Sequence, residues 1–300
     1  MEKICVEKIE GASAELMSNN DYATFLTSKI WPQGVTLGIY FMNSPEDGNV
    51  TISRCSGNDC KNIDPLQDKY QKQSDDGTLD IKEAIKEIVN ERYVPLLDRL
   101  TLTFVDDIED STIRIKFDQN AGSWSHIGND AQNVPIDQPT MNLGWFNVRT
   151  VLHEFGHVLG LGHEHQNPRG KQIDWNIPVL DAYMQRTQGW NPQQVYDQII
   201  KKYRKDQTNG STFDKDSIMA YFYPPNLTNN NQGIKQNSKL SSTDVEFIKK
   251  IYSRDQTSIS DPPSRDPPRY HPSEVWMLIF IFAVVSITLL TIAIVKSRNR

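Results

Sequence analysis

Cysteine is scarce in this 300-residue chain. Cys5, Cys55 and Cys60 are the full set. So few, and an odd number, argue against a disulfide framework; they fit a reducing compartment or at most one bridge, Cys55–Cys60. Before residue 275 there is no run of basic residues, and the net charge is −6. Nothing therefore points to nucleic acid as a partner, and the charge bears only on solubility. Residues 1–30 lack the apolar stretch of a secretory signal. They read as an N-terminal extension, either a short helix around Ala12, Leu16 and Met17 or a loose arm.

What the chain does carry is His-Glu-Phe-Gly-His-Val-Leu-Gly-Leu-Gly-His, from His153 to His163. Val148, Val151, Leu152, Phe155, Val158 and Leu159 fall at helical intervals, so one face of this segment packs into a core. His153 and His157 stack on the other face, about 5–6 Å apart at Cβ. Imidazoles at that distance can share one Zn²⁺ through nitrogens at about 2.0–2.1 Å. Gly160 can adopt the left-handed conformation that ends helices. A turn there brings His163 back as a third ligand and leaves a fourth position for water, the pattern of a catalytic site. Glu154 lies beside the metal, where it can take a proton from the activated water. Chance would produce these five spaced residues on the order of once in 10⁵ such chains.

The 37% hydrophobic content allows a sizeable core. Val35–Phe41 reads as a strand, and 43–77, rich in Asn, Asp, Ser, Gly and Gln, as a surface insertion. Asp80 and Glu83 form a capping box for a helix with Ile81, Ala84, Ile85, Ile88 and Val89 inward. Strands follow at 100–105 and 112–117, the latter with Ile113, Ile115 and Phe117 on one face and Thr112, Arg114 and Lys116 on the other. Asn191 with Pro192 and Gln194 opens a later helix, and Ser241 opens the last. The order strand, helix, strand, strand, zinc helix is an α/β layered pattern.

The histidine spacing, followed by Ser217-Ile218-Met219-Ala220-Tyr221 as a Met-turn, resembles the metzincin zinc metallopeptidases, with astacin-like and matrixin-like features. The resembling stretches are 31–41, 113–131, the zinc helix, 213–224 and 240–252, so the likeness spans about residues 31–253. It implies an α+β metzincin-type domain with a twisted mixed sheet, acting on a protein or peptide substrate. In that likeness His153, His157 and His163 hold zinc, Glu154 is the general base and Met219 is a hydrophobic floor beneath the imidazoles. It also implies an edge strand that takes extended peptide by strand addition, near Thr140–Leu143. Tyr221 matches the astacin tyrosine that supports the oxyanion, with a packed aromatic as the alternative. Glu164 matches a structural acid, with a solvated charge as the alternative, and His165 falls outside the ligand set. The chain departs from astacins at Ala220, where they usually carry histidine, and in lacking the cysteines for their disulfides.

Residues 254–274 hold five prolines and read as a semi-rigid stalk. Val275–Val295 gives 21 residues without a charge, enough to cross a lipid bilayer core of roughly 30 Å; 296–300 is a basic tail. The expectation is a single-pass membrane protein with a C-terminal anchor. A span so close to the C-terminus leaves the ribosome only after synthesis, which suits insertion with the catalytic domain facing the cytosol. The sequence thus describes a membrane-anchored zinc endopeptidase. The rival is a catalytically silent, membrane-displayed binding module, and the retained Glu154 argues against it.

Overall fold

The computed structural model describes residues 6–8, 25–53, 60–170, 173–203, 208–209 and 213–253. The expected stalk, membrane span and basic tail lie outside the described residues, as do Cys5 and Cys55. Among the described residues no helix is long and apolar enough to cross a membrane.

The strands are β1 (Val6–Lys8), β2 (Phe25–Leu26), β3 (Val35–Phe41), β4 (Cys60–Lys61), β5 (Leu100–Phe104), β6 (Ile113–Lys116), β7 (Trp124–His126), β8 (Met141–Asn142), β9 (Thr208–Asn209) and β10 (Gln236–Asn237). The helices are α1 (Pro65–Asp75), α2 (Ile81–Arg92), α3 (Val148–Val158), α4 (Ile177–Gln188), α5 (Pro192–Val195, continuing as a π turn over Tyr196–Ile200) and α6 (Ser242–Tyr252). Six strands form one mixed sheet in the order β1-β7-β8-β6-β3-β5. All neighbours are parallel except β7 and β8.

Alternation builds this sheet. Leu37, Ile39, Ile113 and Ile115 are fully or almost fully buried, each burial worth about 1.5–3 kcal/mol. α2 packs on α3, and α3 on β7. Ala84, Ile85, Ile88 and Val89 line the buried face of α2 as the spacing requires. The expected capping box is half formed. Asp80 accepts from the Glu83 N–H at 3.1 Å, while the Glu83 carboxylate takes Lys86 at 2.6 Å.

Three expectations need correction. The supposed surface insertion 43–77 contains α1, which buries Leu66 and Tyr70 against the core; its polar composition hides a one-sided apolar stripe. At the N-terminus, where a loose arm was one reading, Val6–Lys8 forms β1 alongside β7, and the alternative helix around Ala12, Leu16 and Met17 lies outside the described residues. Thr140–Leu143 is not an edge, because β8 pairs with β6 on one side and β7 on the other. Arg114, on the sheet face opposite Ile113 and Ile115, is buried as well. It is 3% exposed, and its guanidinium donates to Gln138 O at 2.8 Å and Val134 O at 3.0 Å.

The buried side chains form two clusters. One joins the sheet, α2, α3 and α6; the other joins α4, α5, Tyr221, Tyr223, Leu227 and Ile234.

Candidate metal centre

α3 begins where two side chains satisfy its free N–H groups, a need every helix start has. Asn147 Oδ1 accepts from Thr150 N at 2.7 Å, and Gln67 Oε1, from α1, accepts from Val148 N at 2.9 Å. The helix ends at Gly160, whose φ of 92° lies in the left-handed region. Gly160 N donates to His157 O at 2.8 Å, and Leu161 N to Gly156 O at 3.0 Å. The reversal carries His163 back beneath the helix.

His153, His157 and His163 are each fully buried and converge. His153 Nδ1 lies 2.9 Å from Ile218 O, and His157 Nδ1 lies 2.8 Å from Leu161 O. A carbonyl only accepts, so both Nδ1 atoms carry the proton and both Nε2 atoms present lone pairs. Those lone pairs face His163 Nε2 at 3.2 and 3.1 Å. One proton on His163 satisfies at most one of them, whereas a cation satisfies all three. Tetrahedral zinc at about 2.0–2.1 Å spaces its nitrogens about 3.3 Å apart, close to what is seen. Burial, the largest influence, pushes His157 down to about 4 and holds His153 and His163 well below the ordinary 6.5. All three are therefore neutral near pH 7, the form that ligates metal.

Glu154 is also fully buried, one residue from His153 on α3. The Met-turn is tied down at consecutive residues. Ile218 O receives His153, Met219 O accepts from Glu164 N at 3.1 Å, and Ala220 O accepts from Arg149 Nη2 at 3.1 Å. The Met219 sulfur lies against Gly156, where a Cβ would stand 2.5 Å from it. Tyr221 is 4% exposed, its ring centroid 4.3 Å from that of His163 and 6.1 Å from that of His153. Glu164 is the structural acid of its two readings. It is 1% exposed, and its Oε1 accepts from Asn167 Nδ2 at 3.0 Å and Asp214 N at 2.9 Å. His165 stays outside the three-nitrogen cluster.

Sequence reasoning missed Asp244. This fully buried carboxylate accepts from Ser217 Oγ at 2.7 Å, Ile218 N at 2.8 Å and Ser241 N at 2.9 Å. It roots the Met-turn in the start of α6. Burial raises it to about 6 against the pull of these hydrogen bonds. The available signal was the Ser241–Asp244 capping box, which marks the acid as a cap without showing its second partner.

The profile of the family "Astacin (Peptidase family M12A)" matches residues 76–261, more than half of the chain. Bone morphogenetic protein 1 of Xenopus laevis is 26% identical over 165 residues, 50% of this chain and 22% of that protein. Zinc metalloproteinase nas-39 of Caenorhabditis elegans is 27% identical over 146 residues, 44% of this chain and 14% of that protein. The chain thus spans less than a quarter of the length of these relatives. The structure of myroilysin superposes with a TM-score of 0.61 and 29% identity, covering 77% of this chain and 99% of that one. Astacin-family enzymes are zinc metallopeptidases, and the three histidines supply the site such a metal needs. The chain belongs to the astacin family of zinc metallopeptidases.

Proposed function

We propose that the chain is a membrane-anchored zinc endopeptidase that hydrolyses internal peptide bonds of a protein or peptide substrate, with Glu154 as general base. The observation that carries this is the convergence of three neutral, buried imidazoles, two of them fixed through Nδ1 to backbone carbonyls, beside a buried glutamate. His153, His157 and His163 would hold the zinc. When bound it supplies Lewis acidity, which makes water a competent nucleophile near neutral pH.

Glu154 takes a proton from the attacking water and returns it to the leaving amine. Tyr221, its ring tilted beside that of His163, donates a hydrogen bond from its hydroxyl to the developing oxyanion. Met219 packs beneath the imidazoles against Gly156 and takes no proton. Extended peptide adds to the sheet at β7, against which α3 packs. In this structure β1 runs along the same strand, so peptide and β1 compete for it. The organisation that goes with this reading is an N-terminal extension over 1–30, a peptidase domain over 31–253, a stalk over 254–274, a membrane span over 275–295 and a basic tail, with the domain facing the cytosol. The uncharged 21-residue run supports the anchor.

Glu154→Ala in the full chain should keep near-stoichiometric zinc and lose about 10²–10⁴-fold in kcat on a fluorogenic peptide. Hydrolysis within tenfold of the parent would remove Glu154 from the chemistry. Glycosidase-sensitive mass on Asn49, Asn209 or Asn226 in cell-expressed protein would overturn the cytosolic orientation.

A further inference from the structure

His165 adjoins the metal centre without a part in the chemistry above. It is 2% exposed, and its ring lies 4.3 Å from Tyr221 at 30° and 5.3 Å from His163 at 24°, centroid to centroid. Its Nε2 lies 3.0 Å from Gln198 O, so that nitrogen carries the proton and donates.

The acceptor is available because of the π turn. Lys201 N closes that turn on Tyr196 O at 2.8 Å. Tyr203 N, the donor that an i→i+5 ladder would send to Gln198 O, goes instead to Gln166 O at 2.9 Å. Gln198 O is thereby left for the imidazole. Gln166 strengthens the docking, donating through Nε2 to Asp197 O at 3.1 Å and Lys201 O at 3.0 Å. The π turn thus holds the segment 164–166 by side-chain bonds at His165 and Gln166, and His165 presents its ring to Tyr221. π turns inside helices recur at functional sites, and this one gives the loop carrying His163 a fixed support.

We propose that His165 is a positioning residue: held to Gln198 of the π turn, its imidazole sets where the Tyr221 phenol stands at the metal centre. This rests on Tyr221 acting as the oxyanion donor. Tyr221 lies on the Met-turn, whose backbone is fixed at Ala220 O by Arg149. That leaves the ring to be set by its neighbours, and two of them are imidazoles at the same 4.3 Å.

A double-mutant cycle in the full chain tests this, comparing wild type, His165→Leu, Tyr221→Phe and the pair. Readouts are zinc per chain by elemental analysis and kcat and KM on a fluorogenic peptide. His165→Leu should keep its zinc, leave KM within about twofold and lose about tenfold or more in kcat. In the Tyr221→Phe background the same change should cost less than about twofold, because its route is already gone. His165→Phe, which keeps a planar ring, should recover part of the loss; if the leucine variant does not fold, the phenylalanine variant runs the same cycle. Full additivity, or loss of zinc in a folded His165 variant, would overturn the proposal. A wild-type kcat in Tyr221→Phe alone would instead sink the oxyanion role of the tyrosine.

Discussion

The two buried clusters are built by different means. The first is regular: parallel strands and two helices bury Leu37, Ile39, Ile85, Val151, Leu152 and Phe155 completely. The second packs Leu180, Met184, Val195, Ile199 and Tyr223 between α4, the single turn of α5, a π turn and isolated bridges such as Tyr223–Ile234. Side-chain bonds do the work there that a sheet ladder does in the first, as in Gln232 N to Thr228 Oγ1 at 2.9 Å and Asn229 Nδ2 to Asp174 Oδ1 at 2.8 Å. The border between them runs through the Met-turn. Ile218 and Met219 belong to the first cluster, Ala220 and Tyr221 to the second. The two converging histidines of α3 are thus carried by the regular part, and the Tyr221 phenol by the irregular one.

The largest effect should come from the histidine cluster itself. His163→Ala removes one of three nitrogens, and elemental analysis should find the zinc gone after dialysis; full retention would take His163 out of the ligand set. Next, Phe155→Ala in the first cluster should cost about 3–5 kcal/mol and Leu180→Ala in the second about 2–5 kcal/mol in denaturant unfolding. The two should part on catalysis. The Leu180 variant should lose kcat at temperatures where it is still folded, and equal loss of kcat in both would erase the distinction drawn between the clusters.

A smaller effect is pH dependence in the metal-free protein. His157 and His165 titrate at about 4 in the folded chain against 6.5 ordinarily. Above 6.5 both states are neutral. As pH falls below 6.5 the unfolded chain takes protons first, so stability present at pH 7 is lost down to about 4 and then levels. Asp244, raised from 3.8 to about 6, has the opposite sign. It lowers stability as pH rises between those values, and so offsets part of the histidine effect. Melting of chelator-treated protein at pH 7, 5.5 and 4.5 should show falling Tm; a flat series would contradict the buried histidines. The smallest change concerns β1. Deleting residues 1–8 should lower KM by roughly two- to tenfold with kcat unchanged, if peptide takes its place on β7. An unchanged KM would separate β1 from the peptide's path.

Much of this was legible because it is local. The helical stripe of α3, the His153–His157 spacing and the turn at Gly160 all lie within a dozen residues, and neighbour geometry fixes them. The alternation in β3 and β6 was equally plain. What stayed hidden depends on partners far along the chain. Thr140–Leu143 resembled an edge until β6 and β7 took both its sides. The burial of Arg114 had no local sign, because the carbonyls that receive its guanidinium belong to residues 134–138. Gln67 sat in a polar stretch, with no local sign that it would start a helix at Val148. The π turn could not be foreseen either, since Asn191, Pro192 and Gln194 specify only how a helix begins.

Gly156 and Met219 amount to one inherited trait written at two places. The bare Cα on the helix is what admits the sulfur, and a methyl there would displace it. Gly156→Ala alone should force the Met219 side chain out of its seat against the helix. Paired with a shorter residue at 219, the same alanine becomes tolerable. Lineages of this fold are then expected to change the two positions together or neither, and a designer who edits one has already chosen the other.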